Sequence, residues 1–170
     1  MMKRLIISIL PFLFIGCLNE QHKQQEKIFS NYPQLYLKKI YFNQDGFHLD
    51  TLIKTTESIK SGNYKIVTLI DGTCPTCIKK VNEMDCVFKK NISSYKIDNI
   101  VIAIGGDFEY LKNSFKETNY ITTVLFDKFG NFLEVNNILS FGYITYIVNS
   151  NNEIILVGNP FTDTKILRLL

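Results

Sequence analysis

The stretch that most restricts the fold of this 170-residue chain runs from Lys65 to Lys80. Lys65 to Ile70 is an apolar run of strand length, rich in β-branched residues. Asp71, Gly72 and Thr73 interrupt it, and Cys74-Pro75-Thr76-Cys77 then opens a helical pattern. Cys77, Val81, Met84 and Phe88 recur at the spacing of one helix face. Pro75 suits a first helical turn, where a missing N–H is no loss. Cys74 is therefore expected at a helix N-terminus, where unpaired N–H groups and the macrodipole favour a thiolate. Cys77 lies one turn further on, close enough to attack a mixed disulfide formed at Cys74. Thiol–disulfide exchange needs this arrangement.

From these residues outward the chain resembles the thioredoxin-fold thiol–disulfide oxidoreductases, most closely their membrane-tethered extracytoplasmic branch (TlpA/ResA type). Val124 to Ile138 is similar to that family's strand, Asp-x-x-Gly turn and helix, and Tyr146 to Ile154 to its late hairpin. The likeness covers roughly residues 35–170, and the CPTC motif is its most specific part. It implies a thioredoxin-like fold, with Cys74 as attacking thiolate and Cys77 as resolving thiol. Pro75, Thr76, Tyr143 and Ile144 would form a substrate groove. Protein thiols and disulfides would be the partners, with a membrane electron donor recharging the pair and no diffusible cofactor.

Two family features are replaced. The buried carboxylate six positions before the first cysteine corresponds to Thr68, which is neither acid nor base at neutral pH. The cis-proline opposite the motif corresponds to Tyr143, with Gly142 before it. A trans Gly142–Tyr143 bond is expected, because cis before a non-proline residue costs about 2.5–4 kcal/mol. Asp71 and Glu83 are the nearest carboxylates, read as a turn residue and a solvated helix residue.

Other uses of the motif are weaker. Zinc would need two further ligands, and the only histidines, His22 and His48, are distant in sequence. His22 reads as part of a solvated tether and His48 as a surface residue of a strand. A structural disulfide fits an exported compartment, but such bridges seldom close a strand-to-helix turn. A thioredoxin-like binding lipoprotein without turnover is the main alternative to an enzyme. A peroxide-reducing relative would set its cysteine in a Pro-x-x-x-Thr-x-x-Cys context, which is absent. Cys86 would lie about 13 Å from Cys77 along a continuous helix, too far to bridge, and is expected as a buried or half-buried hydrophobe.

Ahead of the domain, residues 1–16 carry Lys3 and Arg4 and an apolar stretch too short to span a bilayer comfortably. Leu13 to Cys17 resembles a bacterial lipobox, so Cys17 is expected to carry lipid. Residues 17–34 read as a polar tether, and 35–170 as one domain. The protein would be held at the cell envelope, facing the periplasm or the exterior. The chain has 19 Lys and Arg against 16 Asp and Glu, net +3. Without Lys3 and Arg4 the balance is 17 against 16, or +1, which offers no basic face for nucleic acid.

Within the domain, Tyr36 to Phe42 reads as a strand, Asn43 to Gly46 as a turn and Phe47 to Leu49 as the return, together an N-terminal hairpin extension. An amphipathic segment over Asp50 to Ile59 follows. Asn99 to Ile104 is a buried strand that closes a β-α-β unit, and Asp107 caps a helix carrying Phe108, Leu111 and Phe115. Thr122 to Phe126 reads as a strand and Asn131 to Asn137 as a short helix. Tyr143 to Val148 and Ile154 to Val157 form a hairpin through the polar turn Asn149 to Asn152. Thr162 or Asp163 would cap a C-terminal helix. These periodicities by themselves predict an α/β domain with a mixed sheet.

Overall fold

The computed structural model describes residues 35, 37–44, 46–53, 63–91, 97–115, 120–138, 144–162 and 166. Its elements are β1 (Asp50–Ile53), β2 (Tyr64–Asp71), α1 (Pro75–Asn91), β3 (Ile97–Ile104), α2 (Phe108–Ser114), β4 (Thr123–Asp127), α3 (Asn131–Val135), β5 (Ile144–Asn149) and β6 (Ile154–Val157). Six strands form one mixed sheet in the order β1-β4-β3-β2-β5-β6. β2, β3 and β4 run parallel, while β1, β5 and β6 pair antiparallel with their neighbours. The parallel β2-α1-β3 half and the β5-β6 hairpin follow the expected order. Of the helix expected after them, only Ile166 falls among the described residues.

Alternation along the central strands fills both faces of the sheet. Val67 and Leu69 on β2 share a core with Ile100, Ile102 and Ile104 on β3, Tyr146 and Val148 on β5, and Phe132 of α3. Ile70, Val101 and Ala103 point the opposite way and meet Ile78, Val81 and Met84 of α1 and Leu111 of α2. Each such Val, Leu, Ile, Met or Phe side chain, once buried, stabilises the fold by about 1.5–3 kcal/mol. The expected α1 stripe is realised, since Val81, Met84 and Phe88 are all buried.

Three expectations at the element level need correction. Asp50 to Ile53, read as the start of an amphipathic segment, is an extended edge strand paired with β4, with a bulge between Thr51 and Ile53. Residues 54–59 of that segment lie outside the described residues. Of the stretch Tyr36 to Phe42, the described residues 37–42 do not form a strand: Leu37 takes a positive φ of 54°, and among the described residues there are only single bridges at Lys39–Glu153 and Gln44–Phe47. A left-handed residue breaks the extended run. The segment is instead fastened by Asn136, whose Oδ1 accepts from Tyr41 N at 2.6 Å and whose Nδ2 donates to Tyr41 O at 3.0 Å. Cys86 is exposed, not buried, because it faces away from the α1 stripe that meets the sheet.

Candidate functional site

β2, β3 and β4 all end at one edge of the sheet, with Asp71, Ile104 and Asp127 in register across it. The turn after β2 carries the two cysteines. It is fixed first by its own side chains: Asp71 Oδ1 accepts from the backbone N of Thr73 at 2.8 Å and from its hydroxyl at 2.7 Å. Asp71 is thus the turn residue the sequence predicts, and Glu83 is exposed on α1.

Contact with the end of β3 holds the same turn from behind. Gly72 N donates to Ile104 O at 2.9 Å, which extends the β2–β3 ladder by one rung. A Cβ on Gly72 would stand 2.2 Å from Gly105 O, so only glycine permits this approach. Gly105 and Gly106 both take positive φ, 70° and 86°. They sharpen the turn into α2, which begins where Asp107 accepts from Tyr110 N at 2.7 Å. The fit of Gly72 against Gly105 escaped the sequence reading, although two adjacent glycines at a strand end were a signal for it.

Cys74 occupies the N-cap position of α1, and Pro75 is the first helical residue, as expected. The Cys74 sulfur acts as the cap, accepting from the backbone N of Cys77 at 3.3 Å. Thr76 Oγ1 lies 3.1 Å from the same sulfur, and Cys77 Sγ donates to it from 2.6 Å. Both cysteines are half-buried free thiols. The first turn of α1 has no acidic residue, while Lys89 and Lys90 stand in the last turn. The dipole's positive end is thus left for the Cys74 sulfur.

The two thiols are driven apart. The Cys74 pKa is lowered, first by the Cys77 side-chain hydrogen bond, then by the Thr76 hydroxyl and the Cys77 backbone N–H. The Cys77 pKa is raised, first by burial and then by its bond to Cys74 and the repulsion of that sulfur's negative charge. The surroundings of Cys74 favour the thiolate and those of Cys77 the thiol. Among the described residues no three His, Cys, Asp or Glu side chains are grouped to hold a metal ion.

Thr68 is fully buried in the middle of β2, on the face covered by α1. Its hydroxyl pairs with that of Thr145 on β5 at 3.1 Å, so a neutral pair of hydroxyls fills the place where the resembled family has a carboxylate. Ile144 begins β5 opposite Leu69, at the sheet edge that carries the cysteines. Gly142 and Tyr143, just before it, lie outside the described residues, as does Cys17. His48 is exposed, in keeping with its reading as a surface residue.

A buried carboxylate does occur, at a position the sequence reading passed over. Asp85 on α1 accepts from Ile121 N at 3.1 Å, Thr122 N at 2.9 Å and Thr122 Oγ1 at 2.7 Å, and pairs with Lys89 at 2.7 Å. Two helical turns beyond Cys77, it ties α1 to the approach to β4.

No protein-family model and no curated protein matches the sequence. Solved structures do match its fold. The C-terminal domain of a protein named as a thiol-disulfide oxidoreductase from Bacteroides thetaiotaomicron superposes with TM-score 0.56 at 14% identity, covering 79% of this chain and 95% of that one. A thiol-disulfide oxidoreductase from Bacteroides fragilis gives TM-score 0.52 at 14% identity, covering 68% and 86%. The thioredoxin domain of a thiol-disulfide oxidoreductase from Bacteroides vulgatus gives 0.50 at 13% identity, covering 64% and 79%. Together with the topology, these likenesses establish the fold as thioredoxin-like.

Proposed function

We propose that this chain is a lipid-anchored, extracytoplasmic thiol–disulfide oxidoreductase that exchanges disulfides with envelope proteins through Cys74 and Cys77. The observation that carries the reading is the asymmetry of the pair: a Cys74 sulfur at a helix N-terminus with three donors, and a Cys77 thiol 2.6 Å behind it. The thioredoxin-like fold supports it, as does the chemistry named for the structural neighbours.

The Cys74 thiolate attacks one sulfur of a substrate disulfide, joins it in a mixed disulfide and releases the other substrate sulfur as a thiolate. Cys77 then gives up its proton to solvent and attacks Cys74 Sγ. A Cys74–Cys77 disulfide forms, and the first substrate sulfur leaves and is protonated. The substrate has gained two electrons and the pair has lost them. A dithiol donor at the membrane restores the pair by the reverse exchange. Pro75, Thr76, Tyr143 and Ile144 are assigned to the groove beside the sulfurs, and Cys17 to the lipid.

Replacing Cys77 with serine removes the resolving step and should leave a mixed disulfide on Cys74, visible as a mass adduct lost on reduction. A redox titration of the wild-type pair against glutathione, beside insulin reduction, should show a reversible two-electron midpoint with turnover. Intact-mass measurement of membrane-extracted protein should find Cys17 at the N-terminus with lipid attached. An unmodified Cys17 behind a retained Lys3 would end the anchoring claim.

A second reading is favoured by one observation. Thr68 and Thr145 supply no group able to take the Cys77 proton. On that reading the chain is a thioredoxin-like binding lipoprotein in which resolution is too slow for turnover, and the insulin assay would show no reduction above background.

A further inference from the structure

Residues 37–41 join the domain at the end of the sheet remote from the cysteines. Leu37 N donates to Ile154 O at 2.8 Å, Ile154 N to Lys38 O at 2.9 Å and Ile40 N to Asn152 O at 2.7 Å. Ile154 pairs with Val148 and Val148 with Lys65, so this segment lies level with the start of β2. Asp71, which leads into the Cys74 turn, is six residues further along that strand, or about 20 Å.

The segment buries one side and shows a distinct chemistry on the other. Ile40 is buried, while Leu37, Lys39 and Tyr41 are exposed, Leu37 by 52% and Tyr41 by 42%. Lys39 Nζ stands 5.8 Å from the centre of the Tyr41 ring, so the cation and the ring share the outer side. Lys38 Nζ donates to Asn137 O at 2.8 Å, an uncharged acceptor that leaves its charge unbalanced. The acidic neighbour is Glu153, opposite Lys39, whose carboxylate accepts from Asn149 Nδ2 at 2.8 Å. An aliphatic group, a ring with a polar tip and two ammonium groups on long stems are the side chains that settle among lipid headgroups.

We propose that Leu37, Lys38, Lys39 and Tyr41 form a face that lies on an anionic lipid surface, with the Cys74 edge turned away from it. The proposal rests on the lipid-anchored reading, because a chain held at Cys17 reaches the domain through residue 35 and meets this end first. Charge complementarity selects the occupant: anionic headgroups attract the two lysines, while Leu37 and the Tyr41 ring enter the boundary beneath them. The reactive sulfur then stands about 20 Å clear of the headgroups. Client proteins, and the dithiol donor that recharges the pair, must present their sulfurs at that height.

The chain contains no tryptophan, so Tyr41→Trp and Phe129→Trp each supply a single fluorescent reporter. The first marks the proposed face; the second marks the turn after β4 at the cysteine edge, where Phe129 is 76% exposed. Each protein, extracted from membranes, is reconstituted on vesicles of phosphatidylcholine with or without phosphatidylglycerol, all carrying a headgroup nitroxide as quencher. Intact mass is measured on the same samples. Anionic vesicles should quench the Tyr41 reporter and spare the Phe129 reporter, and neutral vesicles should quench Tyr41 less. Lys38→Gln or Lys39→Gln, added to the Tyr41 reporter, should each lower the ratio of quenched to unquenched protein by about fivefold. Quenching at Phe129 instead, at both positions alike or at neither would overturn the proposal, while a lipid on Cys17 in the mass spectrum would leave the anchoring reading standing. A face built for a protein partner would give quenching at neither. Tyr41 quenching that ignores both lysines, or is equal in neutral vesicles, would also overturn it. An unmodified Cys17 would sink the anchoring reading, and titrating the same reporters with free vesicles would then decide the face by the same outcomes.

Discussion

Cys74 and Cys77 carry the same thiol three residues apart, and their surroundings push them in opposite directions. The sign follows from which form each environment favours. Donors around Cys74 favour the charged form, so its thiolate persists to lower pH; burial of Cys77 favours the neutral form, so its thiolate appears only at higher pH. In the reduced protein near neutral pH, iodoacetamide should label Cys74 well ahead of Cys77. Cys86, exposed in mid-helix and away from the N-terminal dipole, should also lag. Peptide mapping after a brief pulse measures this, and equal labelling of all three would remove Cys74 as the nucleophile. The position of Cys74 was legible because Pro75 and the apolar spacing after it locate a helix start without any tertiary information. The exposure of Cys86 was not: its direction on the helix was readable, but whether anything packs on that side depends on the rest of the fold. The Thr76 contact was equally hidden, since a hydroxyl's bonding depends on a rotamer and not on spacing.

At the scale of elements, two fastenings hold α1 in place. Asp85 joins its middle to the residues before β4, and Gly72 lets its leading turn rest on the end of β3. Asp85→Asn keeps the shape but loses the charge that three donors and Lys89 address. It should lower stability by about 1–3 kcal/mol in a urea titration. Lys89→Met, touching only the partly exposed side of the same group, should cost less than about 1 kcal/mol. Gly72→Ala should be worse than its volume suggests, by about 1–3 kcal/mol, because its Cβ meets backbone that cannot swing aside. It should also displace the Cys74 turn, readable as slower labelling of Cys74 in the protein that remains folded. Elements with strong internal periodicity, such as β2, α1 and the β5–β6 hairpin, were legible from the chain alone. β1 was not, because a four-residue edge strand with a bulge draws its conformation from β4 and not from its own pattern. The segment around Leu37 failed for a related reason: a left-handed leucine is held by the hydrogen bonds of residues 37–40 to residues 152–154, far along the chain.

For the whole molecule, the parallel order of β2, β3 and β4 gathers their exits at one edge, which is where open α/β sheets place their chemistry. Mixed sheet and helices were readable from apolar runs and turn residues, and the specific topology from the likeness of CPTC and the hairpin to a known family. Of the strands beyond the β2-α1-β3 half on that side, β4 was visible only as a separate strand and β1 not as a strand at all, since both owe their place to long-range pairing. The hydrogen bond from Gly72 N to Ile104 O has a bearing on motion. Reactive loops commonly belong to the least protected parts of a protein and open many times before the molecule unfolds. Here the amide just ahead of the cysteines is spliced into the central ladder, so the turn has no opening of its own and must share the fate of the sheet. Native-state deuterium exchange should find Gly72 protected to the same degree as Val101 and Ile102, and not as a loop. Substrates would then meet a rigid sulfur whose geometry is settled before they arrive, and adaptation on docking would fall to them.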